Sequence, residues 1–145
     1  MIRLSKLADY GALVLDYLQS HQEQTVSASE IASRFGFGNP TVSKILKLLQ
    51  NAGLVISERG TQGGYRLSKD PKDITIAAVI SALEGQPVLT ACCDDAQSCS
   101  HDVQCTLKGN WQKINSIVLQ ILEEVTLADM AGPLDLRAWS RRDVA

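Results

Sequence analysis

A chain of 145 residues, 45% of them apolar, can bury one modest core and has no room for two large domains. Its net charge of −2 hides an asymmetry: residues 1–69 hold eight Lys/Arg against five Asp/Glu (+3) and the rest six against eleven (−5), so a polyanion-binding module joined to something else is expected. The opening MIRLSKLADYGALVLDYLQ carries charges throughout, unlike a signal peptide, and no run nears the roughly 20 apolar residues of a membrane span, so a cytoplasmic protein without membrane partner is expected.

Leu4, Leu7, Ala8, Gly11, Val14, Leu15 and Leu18 recur at helical spacing, which predicts an amphipathic helix over about 5–20. In 27-SASEIASRFG-36, Ser27 can cap a second helix while Glu30 reaches back to it, and Gly36 ends it. After a short turn comes 39-NPTVSKILKLLQNAG-53, with Asn39 expected as the cap, Pro40 in the first helical position and Gly53 at the end. Val42, Ile45, Leu46 and Leu49 share one face of this helix, leaving Thr41, Ser43, Lys44 and Lys47 on the other. The β-prone runs 54-LVISE-58 and 65-YRL-67 flank the glycine-rich turn 59-RGTQGG-64. A helix-turn-helix followed at once by a hairpin predicts a mainly α fold, the winged helix-turn-helix.

Residues 74-ITIAAVISALEG-85 predict a fourth helix capped by Thr75 and broken by Gly85 and Pro87. Trp111, Ile114, Val118, Ile121 and Val125 step by 3, 4, 3 and 4 residues, the seam of a coiled coil. It spans under three heptads, so the helix is expected to pack both on a second copy and on the winged-helix domain. The expected organisation is a DNA-binding domain over 1–69, a connecting helix over 70–88, a cysteine loop over 89–106, a long dimerisation helix over 107–128 and a frayed tail over 129–145.

All four cysteines lie in 89-LTACCDDAQSCSHDVQC-105, and Cys93, Cys99 and Cys105 are separated by five residues each. In a cytosolic chain such clusters favour metal or redox chemistry over disulfides. Zinc sites draw on shorter C-x2-4-C knuckles, so this even spacing suits zinc poorly and an iron–sulfur cluster better. Redox-active thiols, with the neighbours Cys92 and Cys93 as their best feature, are the rival reading: a thiol switch or thiol oxidoreductase without iron.

The motifs MIRLSKLADYG, PTVSKILKLLQNAGLV, RGTQGGYRL, ITIAAVISALEG, the three-cysteine loop and NWQKIN, in this order over nearly residues 1–130, make the chain resemble the winged-helix iron–sulfur transcription regulators that include IscR and the nitric-oxide sensor NsrR. RLSKLADYG and VTLADM look most like the branch that regulates the SUF cluster-assembly operon. The resemblance implies a homodimer on double-stranded palindromic operator DNA, not an enzyme and with no small-molecule substrate. It also implies a [2Fe-2S] or [4Fe-4S] cluster in each subunit that gates DNA contact, with repression of cluster-assembly genes when the cluster is present. Cys93, Cys99 and Cys105 match the family's three thiolates, and Cys92 is an extra. Where the Isc-type regulator has a histidine ligand, this chain has Lys108, whose ammonium cannot ligate. Asp9 stands where the nitric-oxide sensor takes a carboxylate from the first helix of the other subunit, and His101 and Cys92 are the local competitors for the fourth position.

On this reading the start of the helix from Pro40 enters the major groove, with Thr41, Ser43, Lys44 and Lys47 meeting base edges or phosphates. The wing reaches the adjacent minor groove through Arg59, with Thr61, Gln62, Gly63 and Gly64 of the turn letting backbone amides approach phosphates.

Overall fold

The computed structural model describes residues 4–61, 63–93, 99 and 105–134. Local signals set most of the helices. Ser5 caps α1 (Lys6–Gln19) by accepting hydrogen bonds from the Leu7 and Ala8 amides. Ser27 caps α2 (Ala28–Phe35), which Gly36 ends in the left-handed conformation at φ 68°. Thr75 caps α4 (Ile76–Glu84) through the Ala78 amide. Glu30 does not complete the expected reciprocal cap. Its carboxylate accepts a 2.9 Å hydrogen bond from the Tyr17 hydroxyl, and that bond raises the phenol pKa. The competing partner lies 13 residues away, across the face between α1 and α2.

Helix α3 (Asn39–Asn51) starts one residue earlier than expected: Gly38 is the cap, without a side-chain bond, and Asn39 and Pro40 are the first two helical residues. The aromatic packing of the turn is consistent with this start. Phe37 stacks on Tyr10 of α1 at 4.1 Å between ring centroids and also on Phe35, so the chain is held up to Phe37 before the helix begins.

The wing is the antiparallel pair β1 (Val55–Glu58) and β2 (Gly64–Leu67), in register Val55 with Leu67 and Glu58 with Gly64. A bridge between Val26 and Tyr65 attaches its outer edge to the segment entering α2. Val14, Leu15, Ile31, Val42, Ile45, Leu46, Leu49 and Val55 are all fully buried, so one core joins α1, α2, α3 and the base of the wing. Helix α4 extends it across α1 and α3, with Gly11 of α1 allowing close approach: a Cβ there would lie 2.3 Å from Leu83 Cδ1.

Helix α5 (Lys108–Glu124) ends before the expected 128. Val125 is extended, and Thr126 pairs with Thr75 through the bonds Ile76 N–H to Val125 O (2.9 Å) and Leu127 N–H to Ile74 O (2.8 Å). A reciprocal cap between Thr126 and Asp129 then starts the short α6 (Leu127–Met130), which carries helix past 129, where fraying was expected to begin. The expected seam is only partly covered within one chain. Trp111, Ile114 and Ile121 are exposed, and Ile117 joins them, while Val125 and Asn115 are buried. Among the described residues no helix is long and apolar enough to cross a membrane.

Candidate functional site

Burial of Val42, Ile45, Leu46 and Leu49 turns the opposite face of α3 outward, so Pro40, Ser43, Lys44 and Lys47 are exposed and Thr41 is half-buried. These positions recur at three and four residues and form one continuous polar stripe. Gln50 continues it and donates a 3.1 Å hydrogen bond from Nε2 to Ser57 Oγ, tying the end of α3 to β1. Sequence patterning passed over this contact because its partner stands on another element.

At the tip of the wing Arg59 and Thr61 are exposed, and Arg59 has no partner among the described residues. Gln62 lies outside the described residues. Arg66 is paired with Glu58 across the hairpin, so its charge is offset locally and Arg59 is the cation the turn presents. Gly60, at φ 129°, makes the turn, and its carbonyl accepts the Gly63 amide at 3.0 Å. Gly63 and Gly64, expected to admit phosphates, also meet a packing demand. A Cβ on Gly63 would lie 2.5 Å from Glu58 O, and one on Gly64 would lie 2.7 Å from Val26 O.

The thiol site begins where the chain returns from α4 to α5. The Leu89 amide donates to Asn115 Oδ1 at 3.0 Å, and the buried Asn115 thereby fixes the start of the cysteine segment on α5. Residues Ala91–Cys93 form one tight helical turn, closed by Cys93 N–H to Thr90 O at 2.9 Å. Thr90 Oγ1 stands 3.1 Å from Cys92 Sγ and 3.3 Å from Cys93 Sγ. Cys92, Cys93, Cys99 and Cys105 are all free and half-buried. Neither Thr90 nor Asn115 was expected from the sequence; a polar residue beside the apolar seam of α5 is the only local sign of Asn115.

Among the described residues no three His, Cys, Asp or Glu side chains stand close enough to hold a metal ion. The structure brings Cys92 and Cys93 together about Thr90 and does not gather Cys93, Cys99 and Cys105. His101 lies outside the described residues. Asp9 is exposed in the first turn of α1, and Lys108 opens α5. What the site offers is its donor chemistry: soft thiols, two of them, Cys92 and Cys93, on an ordered turn, of the kind that ligate iron–sulfur clusters.

Comparison with known proteins identifies the family and the fold. Residues 4–133 match the Rrf2 family model, described as an iron-dependent transcriptional regulator. The HTH-type transcriptional regulator IscR of Photobacterium profundum is 31% identical over 142 residues, covering 97% of this chain and 82% of that protein. Among solved structures, CymR, the global cysteine regulator of B. subtilis, superposes with a TM-score of 0.71 at 30% identity, over 90% of this chain and 97% of that one. T. potens IscR superposes with a TM-score of 0.69 at 30% identity, over 99% and 93%.

Proposed function

The chain belongs to the Rrf2 family of iron-dependent transcriptional regulators, and from that premise we propose that it is a homodimeric repressor whose hold on operator DNA follows the state of an iron–sulfur cluster. The observation that carries the DNA reading is the exposed series Lys44, Lys47 and Arg59, two cations on the outer face of α3 and one on the wing. Lys44 and Lys47 meet the major groove and its phosphates, and Arg59 enters the neighbouring minor groove, where a narrow stretch attracts a guanidinium. Pro40, Thr41 and Ser43 stand at the start of the same helix, the part that faces base edges in this docking mode. Thr61, Gln62, Gly63 and Gly64 carry the turn past the backbone.

The apolar face of α5, with Trp111 at 39% and Ile114 and Ile121 at 44% exposure, supports a second copy as its cover. Two heads then reach half-sites about one helical turn apart. Cys93, Cys99 and Cys105 would hold the cluster, with Asp9 of the partner subunit as the favoured fourth donor and His101 or Cys92 as its rivals. When bound, the cluster supplies thiolate-held iron that responds to oxidants. The chain's own residues provide the mechanical link: Asn115 ties the cysteine segment to α5, and the Thr75–Thr126 bridge ties the far end of α5 to α4, which packs on α1 and α3. Similarity of RLSKLADYG and VTLADM to the SUF branch points to cluster-assembly genes as the targets.

A cluster-free thiol switch is the second reading, favoured by the shared contact of Cys92 and Cys93 with Thr90. One experiment separates the two. Protein purified without oxygen is examined by visible absorption, then titrated with its own promoter DNA at two salt concentrations. Broad bands that bleach in air, together with salt-dependent binding that changes on bleaching, are expected. Colourless protein after reconstitution with iron and sulfide, with DNA binding that follows thiol oxidation, would favour the switch.

A further inference from the structure

Arg59 stands at the tip of a two-stranded ribbon. Such a ribbon is marginally stable in water by itself, so its direction depends on what holds its edges. On one edge the backbone of Tyr65 pairs with Val26, in the segment entering α2. Tyr65 stands opposite Ser57 in the hairpin register, and Ser57 Oγ accepts the 3.1 Å hydrogen bond from Gln50 Nε2 of α3. Val26, Tyr65, Ser57 and Gln50 therefore form one row across the wing, fastened to the approach of α2 at one end and to α3 at the other. Burial along β1 stops just short of this row: Val55 is buried and Ile56 half-buried, while Ser57 and Glu58 are exposed. Arg59 follows Ser57 by two residues, about 7 Å of extended chain.

Gln50 lies on the outer stripe of α3, and glutamine is a residue type that reads adenine in the major groove. Its place in the helix points to another role. Bases are met by the start of the helix in this docking mode, and Gln50 stands in the last turn, about 15 Å along the axis from Pro40. Its carboxamide donates to the wing instead.

We propose that Gln50 is a positioning residue for DNA recognition: through Ser57 it holds the wing at one angle to α3, so that Arg59 meets the minor groove while the start of α3 lies in the major groove. The proposal rests on the DNA reading of α3 and Arg59 given above and needs neither the cluster nor the dimer. It makes the contribution of Gln50 to specificity an indirect one, exerted through Arg59.

The test uses the full-length chain, titrated with its own promoter DNA and with random DNA of the same length. Gln50→Ala and Ser57→Ala should each weaken promoter binding roughly two- to tenfold, the net contribution of one hydrogen bond, and leave random DNA unaffected. The double variant should be no weaker than either single one. Ser57→Thr, which keeps the hydroxyl on a strand position suited to a branched side chain, should bind like wild type. In an Arg59→Ala chain, adding Gln50→Ala should cost nothing further.

A loss in Gln50→Ala without one in Ser57→Ala would make Gln50 a direct DNA contact and overturn the proposal. So would wild-type binding in both, losses that multiply in the double variant, an equal loss on random DNA, or a loss that persists in the Arg59→Ala chain. Wild-type promoter affinity in Arg59→Ala alone would refute the reading of the wing on which the proposal rests.

Discussion

Gly64→Ala separates two explanations for the glycines of the wing. If Gly64 serves only to let a phosphate approach, an added methyl group should weaken DNA binding and leave the fold untouched. The structure predicts otherwise. The new Cβ would sit 2.7 Å from Val26 O, 2.8 Å from Val26 C and 3.0 Å from Val26 N, all backbone atoms that no rotamer change can move aside. The segment bearing Val26 must retreat, stretching Val26 N–H to Tyr65 O (2.9 Å) and Tyr65 N–H to Val26 O (2.8 Å). Two such bonds contribute about 1–3 kcal/mol net, and the reduced freedom of the unfolded chain returns about 0.4–1 kcal/mol, leaving a loss of about 1–2 kcal/mol. For a domain of this size that corresponds to a fall in Tm of about 2–8 °C. Thermal unfolding followed by circular dichroism measures it, with an operator titration on the same sample. The expected result is a lowered Tm together with weakened binding, because the bridge that orients the wing is disturbed. An unchanged Tm with reduced DNA affinity would refute the packing argument and return Gly64 to a role at the phosphate.

Four further outcomes can be checked, the first three from this geometry and the last from the proposed cluster site. Arg59→Ala should cost about 1–3 kcal/mol of operator affinity and lower discrimination at the outer part of each half-site, whereas Lys47→Ala should weaken all sequences alike and flatten the salt dependence by about one unit; paired titrations on operator and random DNA distinguish them. Ile117→Glu places a charge in the exposed apolar face of α5 and should convert the proposed dimer to monomer in sedimentation velocity, while a wild-type sedimentation coefficient would remove that face from the proposed interface. Gly11→Ala should destabilise despite a gain of about 1 kcal/mol in helix propensity, since crowding the packed Leu83 costs about 1–3 kcal/mol; chemical denaturation with an unchanged midpoint would show that Leu83 repacks freely. Asp9→Ala should alter the cluster spectrum and uncouple DNA affinity from cluster state, with His101→Ala having little effect; the opposite pattern would move the fourth ligand into the loop.

What the sequence determined by itself was whatever depends on near neighbours. Ser27 and Thr75 cap their helices, Gly36 ends α2, and the buried faces of α1 and α3 fall where helical spacing puts them. Each of these is a contact between residues within about four positions of one another, which is the range a periodic pattern reports. The polar face of α3 and the basic tip of the wing were legible for the same reason, because burying one side of an element exposes the other. Tertiary structure alone decided the rest. Glu30 turned to Tyr17, Gly38 replaced Asn39 as the cap behind an aromatic stack on α1, and Gly64 answered to the backbone of Val26. Helix α5 stopped at Glu124 because Thr126 pairs with Thr75, and the thiol turn was seated by Asn115 from 26 residues away. In each case the partner lies on a different element, so the deciding hydrogen bond or close approach exists only once the chain has brought the two together.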